Sequence, residues 1–164
     1  METRYFATGN YRKDGRCETA HAMKEGASWA IIRAAREMVR YIPKNAVLIP
    51  MPSHTGKATY TKELCRLIAR DTAAEVRDIL RGKERETLYT LKKQGRHILP
   101  KKLGFYVTEE PPTGKHLIII DNVVATGTTA TAAVRAIGGG IVFAYAAATN
   151  SQTRNDLIRL YPNI

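Results

Sequence analysis

Residues 116–137 read HLIIIDNVVATGTTATAAVRAI, and the order of the elements in this stretch decides the fold. The apolar run from His116 to Asp121 is typical of a strand that is buried on both faces. A turn rich in Gly and Thr follows it. The helix predicted after the turn has its apolar residues on one face: Ala130, Ala133, Val134 and Ile137. This order predicts one strand–helix unit of a parallel sheet.

Apolar runs on both sides of this stretch predict further strands. Residues 46–50 (AVLIP) and 141–149 (IVFAYAAAT) are each expected to form a buried strand. Weaker strand signals fall at residues 76–80 and 104–108, and residues 4–12 are expected to be extended. Because ligands of parallel α/β sheets bind beyond the carboxyl ends of the strands, we expect the functional residues there.

Helical spacing of apolar residues predicts helices between these strands. They are expected over residues 24–41, over 60–68 and around 156–160. Together the elements predict a single α/β domain with a mostly parallel central sheet flanked by helices. Its core is expected at residues 46–149, with a small extended hood segment within residues 1–23.

The composition excludes several classes of protein. Hydrophobic residues make up 44% of the 164 residues, which is typical of a globular domain and too high for general disorder. The apolar runs are far shorter than the roughly 18 residues of a membrane span, and the polar N-terminus does not resemble a secretory signal. The two cysteines, Cys17 and Cys65, predict neither a metal motif nor a disulfide framework. These features predict a cytoplasmic protein without a membrane partner.

The charge is strongly basic, with a formal net charge of +11 and a pI near 9.9. Such a field attracts polyanions, either nucleic acid or small phosphates that carry magnesium. Residues 81–102, here called the basic segment, are expected to form a loop that is either a solvated surface or a mobile flap over an anionic ligand. Their basic residues are Arg81, Lys83, Arg85, Lys92, Lys93, Arg96, Lys101 and Lys102. On the first long helix, Arg33, Arg36 and Arg40 are expected in solvent and Trp29 in the core.

The turn after the strand at 116–121 has the chemistry of a sugar-phosphate site. Gly127 permits close approach of a ligand, and the N–H groups of the turn and of the following helix can bind a phosphate. Asp121 can accept hydrogen bonds from two sugar hydroxyls, and Asn122 can accept or donate one. The alternative is that residues 126–129 only cap the helix.

The stretch LIIIDNVVATGTTATAA resembles the signature of the type I phosphoribosyltransferases, in which an apolar strand and two acids precede a Thr-Gly loop. The nearest likeness is to competence-protein-F-like phosphoribosyltransferase domains, and it covers roughly residues 46–149. In those domains a strand ending in Val-Pro-x-Pro, a basic loop with Arg, Thr and Gln, and a Gly-x-Phe strand follow one another. The matching residues here are Ile49 to Pro52, then Arg85, Thr87 and Gln94, then Gly104 and Phe105.

The resemblance implies Mg²⁺-dependent transfer of a phosphoribosyl group from 5-phosphoribosyl-1-pyrophosphate to a nitrogenous base, with release of pyrophosphate. The ribose hydroxyls would contact Asp121 and Asn122. The 5-phosphate would lie on Ala125, Thr126, Gly127, Thr128 and Thr129. The pyrophosphate would contact Ser53, His54 and Lys57. The flap would supply Lys83, Arg85, Lys92 and Arg96, chosen by charge. The Mg²⁺ would arrive on the ligand, with Asp121 as the one protein group expected near it, and the protein would be a homodimer.

Two departures from the family pattern keep alternatives open. Asn122 stands where the signature has its second acid, and the cysteine-rich N-terminal module of the relatives is missing. A non-catalytic regulator that binds the same ligand is therefore one alternative. A nucleic-acid-binding protein is the other, since the charge of +11 suits that partner.

Overall fold

The computed structural model describes residues 3–148 and the strand at 152–153. The strands are β1 (Tyr5–Ala7), β2 (Ala46–Pro50), β3 (Glu75–Val76), β4 (Leu80–Arg81), β5 (Tyr106–Val107), β6 (His116–Val124), β7 (Ile141–Ala147) and β8 (Gln152–Thr153). The helices are α1 (Cys17–Lys24), α2 (Ser28–Met38), α3 (Tyr60–Arg70), α4 (Leu88–Lys93) and α5 (Thr128–Ile137). Short 3₁₀ turns occupy Val39–Tyr41 and Pro100–Leu103. The helix expected around 156–160 lies outside the described residues.

The central sheet has six strands in the order β3-β2-β6-β7-β1-β8, and every pairing in it is parallel. The predicted α/β class, with a mostly parallel sheet flanked by helices, is confirmed. In β6, Ile118 and Ile120 pack into the core beneath α1, α2 and α3, whereas Ile119 packs into the core beneath α5. Burial on both faces therefore accounts for the continuous apolar run.

Several strand boundaries differ from the expected ones. The strand expected over residues 76–80 is interrupted: Val76 ends β3, which joins the central sheet, and Leu80 begins β4, which pairs antiparallel with β5. The strand β7 ends at Ala147. The strand β6 continues past Asp121 to Val124, since β7 still pairs with it there.

The N-terminal residues contribute to the sheet itself. Tyr5–Ala7 are extended, as expected, but they pair in parallel with β7 and so do not form a separate hood. These residues pair with β7 because the pairing buries the Phe6 side chain in the main core. The helix α1 follows within the expected hood, and it packs against β6 and β7.

The helix predicted over residues 24–41 begins later than expected: Lys24 ends α1, a break follows, α2 starts at Ser28, and residues 39–41 continue it as a 3₁₀ turn. Gly26 takes a φ of 81°. The Gly26 N–H donates to the Met23 carbonyl at 2.9 Å, and the Ala27 N–H donates to the Ala22 carbonyl at 3.0 Å. This is a Schellman motif, which ends a helix. Trp29 is 51% exposed and does not lie in the core, since it is two positions, about half a turn, away from the buried Ile31. The arginines Arg33, Arg36 and Arg40 are exposed, as expected.

The basic segment contains regular structure, unlike the expected loop. The paired strands β4 and β5 bring its ends together, and α4 lies within it. Thr87 caps α4 by accepting a hydrogen bond from the Thr90 N–H at 3.1 Å, and Leu91 is buried.

None of the helices in the described residues is long and apolar enough to cross a membrane.

Candidate functional site

Two of the predicted ligand loops begin at the same edge of the sheet. The strands β2 and β6 are parallel neighbours, with Pro50 opposite Ile120 in the register. The Met51 N–H, at the start of the first loop, donates to the Ile120 carbonyl at 3.0 Å. The loop at residues 51–57 and the loop at 125–127 therefore both leave the carboxyl edge, where parallel sheets bind ligands.

The loop after β6 forms an open helix N-terminus. Gly127 is the N-cap of α5 with a φ of 83°, which glycine adopts without strain. Because Gly127 has no side chain, no side-chain hydrogen bond from the N-cap residue caps this helix. The Thr126 and Thr128 hydroxyls lie 3.0 Å apart, Thr126 and Ala125 are exposed, and Thr129 is partly exposed. The first N–H groups of α5 lack intrahelical partners, and with these hydroxyls they form a donor-rich surface for an anion.

Asp121 is buried beside this loop with few partners. Its side chain is 7% exposed, and within the described residues its carboxylate accepts one hydrogen bond, from the Asn122 N–H at 2.8 Å. Burial raises the pKa of this carboxyl to about 7, against the opposing effects of that hydrogen bond and of the Lys24 charge. Asp121 lies inside β6, and it is the first residue beyond the pairing with β2. Asp121 therefore lies at the carboxyl edge of the sheet, because the neighbouring strand β2 ends before it.

Asn122 has a different environment, although the same role was expected of it. Its Oδ1 accepts hydrogen bonds from the Tyr60 hydroxyl at 3.0 Å and the Val123 N–H at 2.8 Å. Its Nδ2 donates to the Ala20 carbonyl at 3.1 Å. We call Ala20, Tyr60 and Asn122 the clasp, because they join α1, β6 and α3. Burial and the nearby Asp121 raise the pKa of Tyr60, so its hydroxyl stays protonated as a donor.

The loop at residues 51–57 is closed by its own hydrogen bonds. The Ser53 N–H and hydroxyl both donate to the Lys57 carbonyl, at 2.9 and 3.1 Å, and the Gly56 N–H donates to the Ser53 carbonyl at 3.0 Å. The side chains of His54 and Lys57 are exposed. The loop thus has two exposed nitrogen-bearing side chains, and it leaves the sheet at the same edge as the loop at residues 125–127.

Backbone hydrogen bonds join this loop to the start of the basic segment. The Gly82 N–H donates to the Gly56 carbonyl at 2.9 Å, and the Arg85 N–H donates to the His54 carbonyl at 2.8 Å. A Cβ atom at Gly56 would lie 2.3 Å from the Gly82 carbonyl oxygen, so this approach requires glycine. The structure therefore brings together two regions that the sequence separates.

The four flap candidates fall into two groups. Arg85 is half-buried at this junction; its Nη1 donates to the Glu86 carbonyl at 3.0 Å, and its Nε is buried without a partner. Burial also lowers the pKa of Arg85. Lys83 lies close by, with its aliphatic carbons against Gly104. Lys92 and Arg96 are exposed, and no hydrogen bond between described residues holds their side chains at either loop.

The residues at this edge fit a magnesium ion that arrives with its ligand. No group of three or more His, Cys, Asp or Glu side chains in the described part of the chain could hold a metal ion. Mg²⁺ commonly binds through one or two carboxylates together with the phosphates of a substrate. Asp121 can supply one such carboxylate.

Sequence reasoning missed the residues that position the site. Tyr60 was expected only on an apolar helix face, and nothing in the sequence links it or Ala20 to Asn122. The sequence also gives no sign that Tyr5 lies beside Gly127: the Tyr5 ring would be 3.4 Å from a Cβ atom at Gly127, so β1 packs beside the loop at residues 125–127.

A scan against protein-family models finds no match for this chain, and a search of the curated proteins finds none.

Proposed function

We propose that this chain binds 5-phosphoribosyl-1-pyrophosphate with Mg²⁺ and transfers its phosphoribosyl group to a nitrogenous base, releasing pyrophosphate. The observation that carries the proposal is a buried carboxylate with one hydrogen bond, Asp121, followed by the open N-terminus of α5. A sugar phosphate satisfies both, because its hydroxyls can donate to Asp121 while its phosphate accepts from the helix N–H groups.

The charges near this edge suit the leaving group. Cleavage of the bond to pyrophosphate leaves positive charge on the sugar ring and negative charge on the pyrophosphate. Lys57 and Arg85, on the joined loop and segment, would stabilise the negative charge, with Mg²⁺ supplying Lewis-acid chemistry when bound. Arg85 is only partly buried, and its guanidinium offers charge-assisted donors of the kind that bind phosphate oxygens.

A non-catalytic binding protein for the same ligand is the second candidate. The specific observation in its favour is the clasp, because it engages both polar atoms of the Asn122 side chain and leaves Asp121 as the single acid. Binding of the ribose would then persist through Asp121, while the second acid of the family signature is missing.

Pyrophosphate release separates the two candidates. The assay supplies Mg²⁺, the ligand and a panel of purine and pyrimidine bases. A transferase releases pyrophosphate with at least one base, and Arg85→Ala lowers that rate by about 100-fold because it removes a charged contact to the leaving group. Arg40→Ala, on the exposed face of the 3₁₀ turn after α2, is the control with the same charge change. Tight binding without release by any base would favour the regulator.

A further inference from the structure

The basic segment carries cations that no acid in the described residues neutralises. In residues 62–81, which end at the first residue of the basic segment, every lysine and arginine has an acidic partner: Lys62 and Arg81 with Asp78, Arg66 with Glu63, Arg70 with Asp71, and Arg77 with Glu75 and Glu109. From residue 83 to 102, where the chain has seven cations and two acids, no ion pair forms between described residues. Unpaired like charges repel one another, so an anionic partner would stabilise this surface.

Exposed aromatic rings accompany these charges. Tyr89, on α4, is 70% exposed, and Tyr106, on β5, is 56% exposed. The Lys93 Nζ lies 5.8 Å from the centre of the Tyr89 ring, while the buried Leu91 holds the helix to the body of the protein. Tyr106 is paired with Arg81 in the small sheet that closes the segment. Rings held on short elements beside cations resemble surfaces on which nucleic-acid bases stack.

We propose that the basic segment and Tyr106 form a binding surface for single-stranded nucleic acid. The cations of the segment contact phosphates, and Tyr89 and Tyr106 stack on bases. A single strand is favoured over a duplex because its bases are free to stack. An anionic membrane or an acidic peptide would satisfy the charges but would give the rings no planar partner. Arg85 belongs to both the basic segment and the proposed ligand site, but Tyr89, Tyr106, Lys101 and Lys102 do not, so variants at these four residues test the inference apart from that site.

Fluorescence anisotropy tests the surface with labelled oligothymidylate and oligouridylate of about 20 nucleotides. The comparison probes are an abasic strand of equal length, a duplex of equal length and anionic phospholipid vesicles. We expect saturable binding of at least one single strand, and weaker binding of the abasic strand by about tenfold or more because stacking is lost. Equal affinity for the abasic strand, or preference for the duplex or the vesicles, would overturn the proposal.

Paired variants separate stacking from charge. Tyr89→Ala with Tyr106→Ala is expected to weaken binding at least about tenfold, whereas the two Tyr→Phe changes retain it because each ring remains. Both side chains are exposed, so the fold should tolerate either change. Lys101→Ala with Lys102→Ala should reduce the slope of log affinity against log salt by about 1.4, at roughly 0.7 per phosphate contact. Arg36→Ala with Arg40→Ala removes the same charge elsewhere and should leave the slope nearly unchanged.

The relation to the sugar-phosphate site is measured with Asp121→Asn. This variant should bind the oligonucleotide with unchanged affinity, even where it no longer binds 5-phosphoribosyl-1-pyrophosphate. A loss of oligonucleotide binding in this variant would place the nucleic acid at the strand edge and would overturn the assignment to the basic segment.

Discussion

Asp121 and Asn122 are adjacent on β6, yet their side chains enter opposite kinds of environment. The Asn122 side chain accepts two hydrogen bonds and donates a third, all within the protein. Within the described residues, the Asp121 carboxylate accepts a single hydrogen bond, from its own strand, and it is nevertheless buried. Asn122 therefore completes the fold, while Asp121 has acceptor capacity left for a ligand.

This contrast gives a physical reason for the amide at position 122. The clasp needs a side chain that accepts from Tyr60 and donates to the Ala20 carbonyl. An ionised carboxylate accepts only and would face that carbonyl as a buried negative charge, beside a second acid at Asp121. Asn122 thereby stabilises α1 and α3 against the sheet.

Asp121→Asn is expected to give the largest change in stability. The pKa of Asp121 is raised from 3.8 to about 7 in the folded protein, so folding disfavours the ionised form. The stability that the protonated form provides is present below about pH 4 and is lost as the pH rises through about 7. At about pH 8 the loss amounts to about 4 kcal/mol, and the neutral Asn removes it.

Chemical denaturation with a metal chelator present, at about pH 4 and about pH 8, measures this difference. The variant should be more stable than the unchanged protein at the higher pH and similar at the lower. Asp71→Asn, an exposed residue at the far end of α3, is the control and should show no such pattern. Equal stability of the Asp121 variant and the unchanged protein at both pH values would mean that the carboxyl keeps an ordinary pKa.

Asn122→Asp is expected to have the next largest effect, and in the opposite direction. The change removes the donor to Ala20 and puts a second carboxyl beside Asp121, at a cost of about 3 kcal/mol near neutral pH. The same denaturation measurement applies, and Asn122→Ala is the companion variant that removes the clasp without adding charge. Should Asn122→Asp match the unchanged protein, the clasp would not contribute to stability.

Tyr60→Phe is expected to have the smallest effect, a loss of about 1 kcal/mol. The ring remains in place and one hydrogen bond to Asn122 is lost, while the Val123 N–H still donates to the same oxygen. A double-mutant cycle with Asn122→Ala measures the coupling between the two side chains. Additive losses would show that they act independently.

The sequence predicts most of the fold because its strongest signals are long apolar runs. The runs at 46–50 and 116–121 predict buried strands, and the structure pairs these strands in parallel. Weaker signals do not predict helices reliably. The helix α1 buries Thr19, Ala20 and Met23, and the first two are too polar or too small to mark an apolar face in the sequence. The true end of β6 was missed because Asp and Asn are uncommon in strands.

The parts of the candidate site also differ in how well the sequence predicts them. The turn at 125–129 is local, so its open helix N-terminus could be predicted from the residues themselves. The clasp joins Asn122 to Tyr60 and Ala20, which lie 62 and 102 positions earlier in the chain. Only the folded sheet brings these residues together. For that reason the sequence assigns Asp121 and Asn122 one shared role, whereas the structure separates them.

A calorimetric titration of 5-phosphoribosyl-1-pyrophosphate with Mg²⁺ tests the central claim most directly, with the unchanged protein, Asp121→Asn and the Asp71→Asn control in parallel. The account predicts saturable binding by the unchanged protein and the control, and an affinity about 100-fold lower for Asp121→Asn, because charged hydrogen bonds to the ribose are lost. Binding that Asp121→Asn leaves intact, or no binding by the unchanged protein, would contradict it.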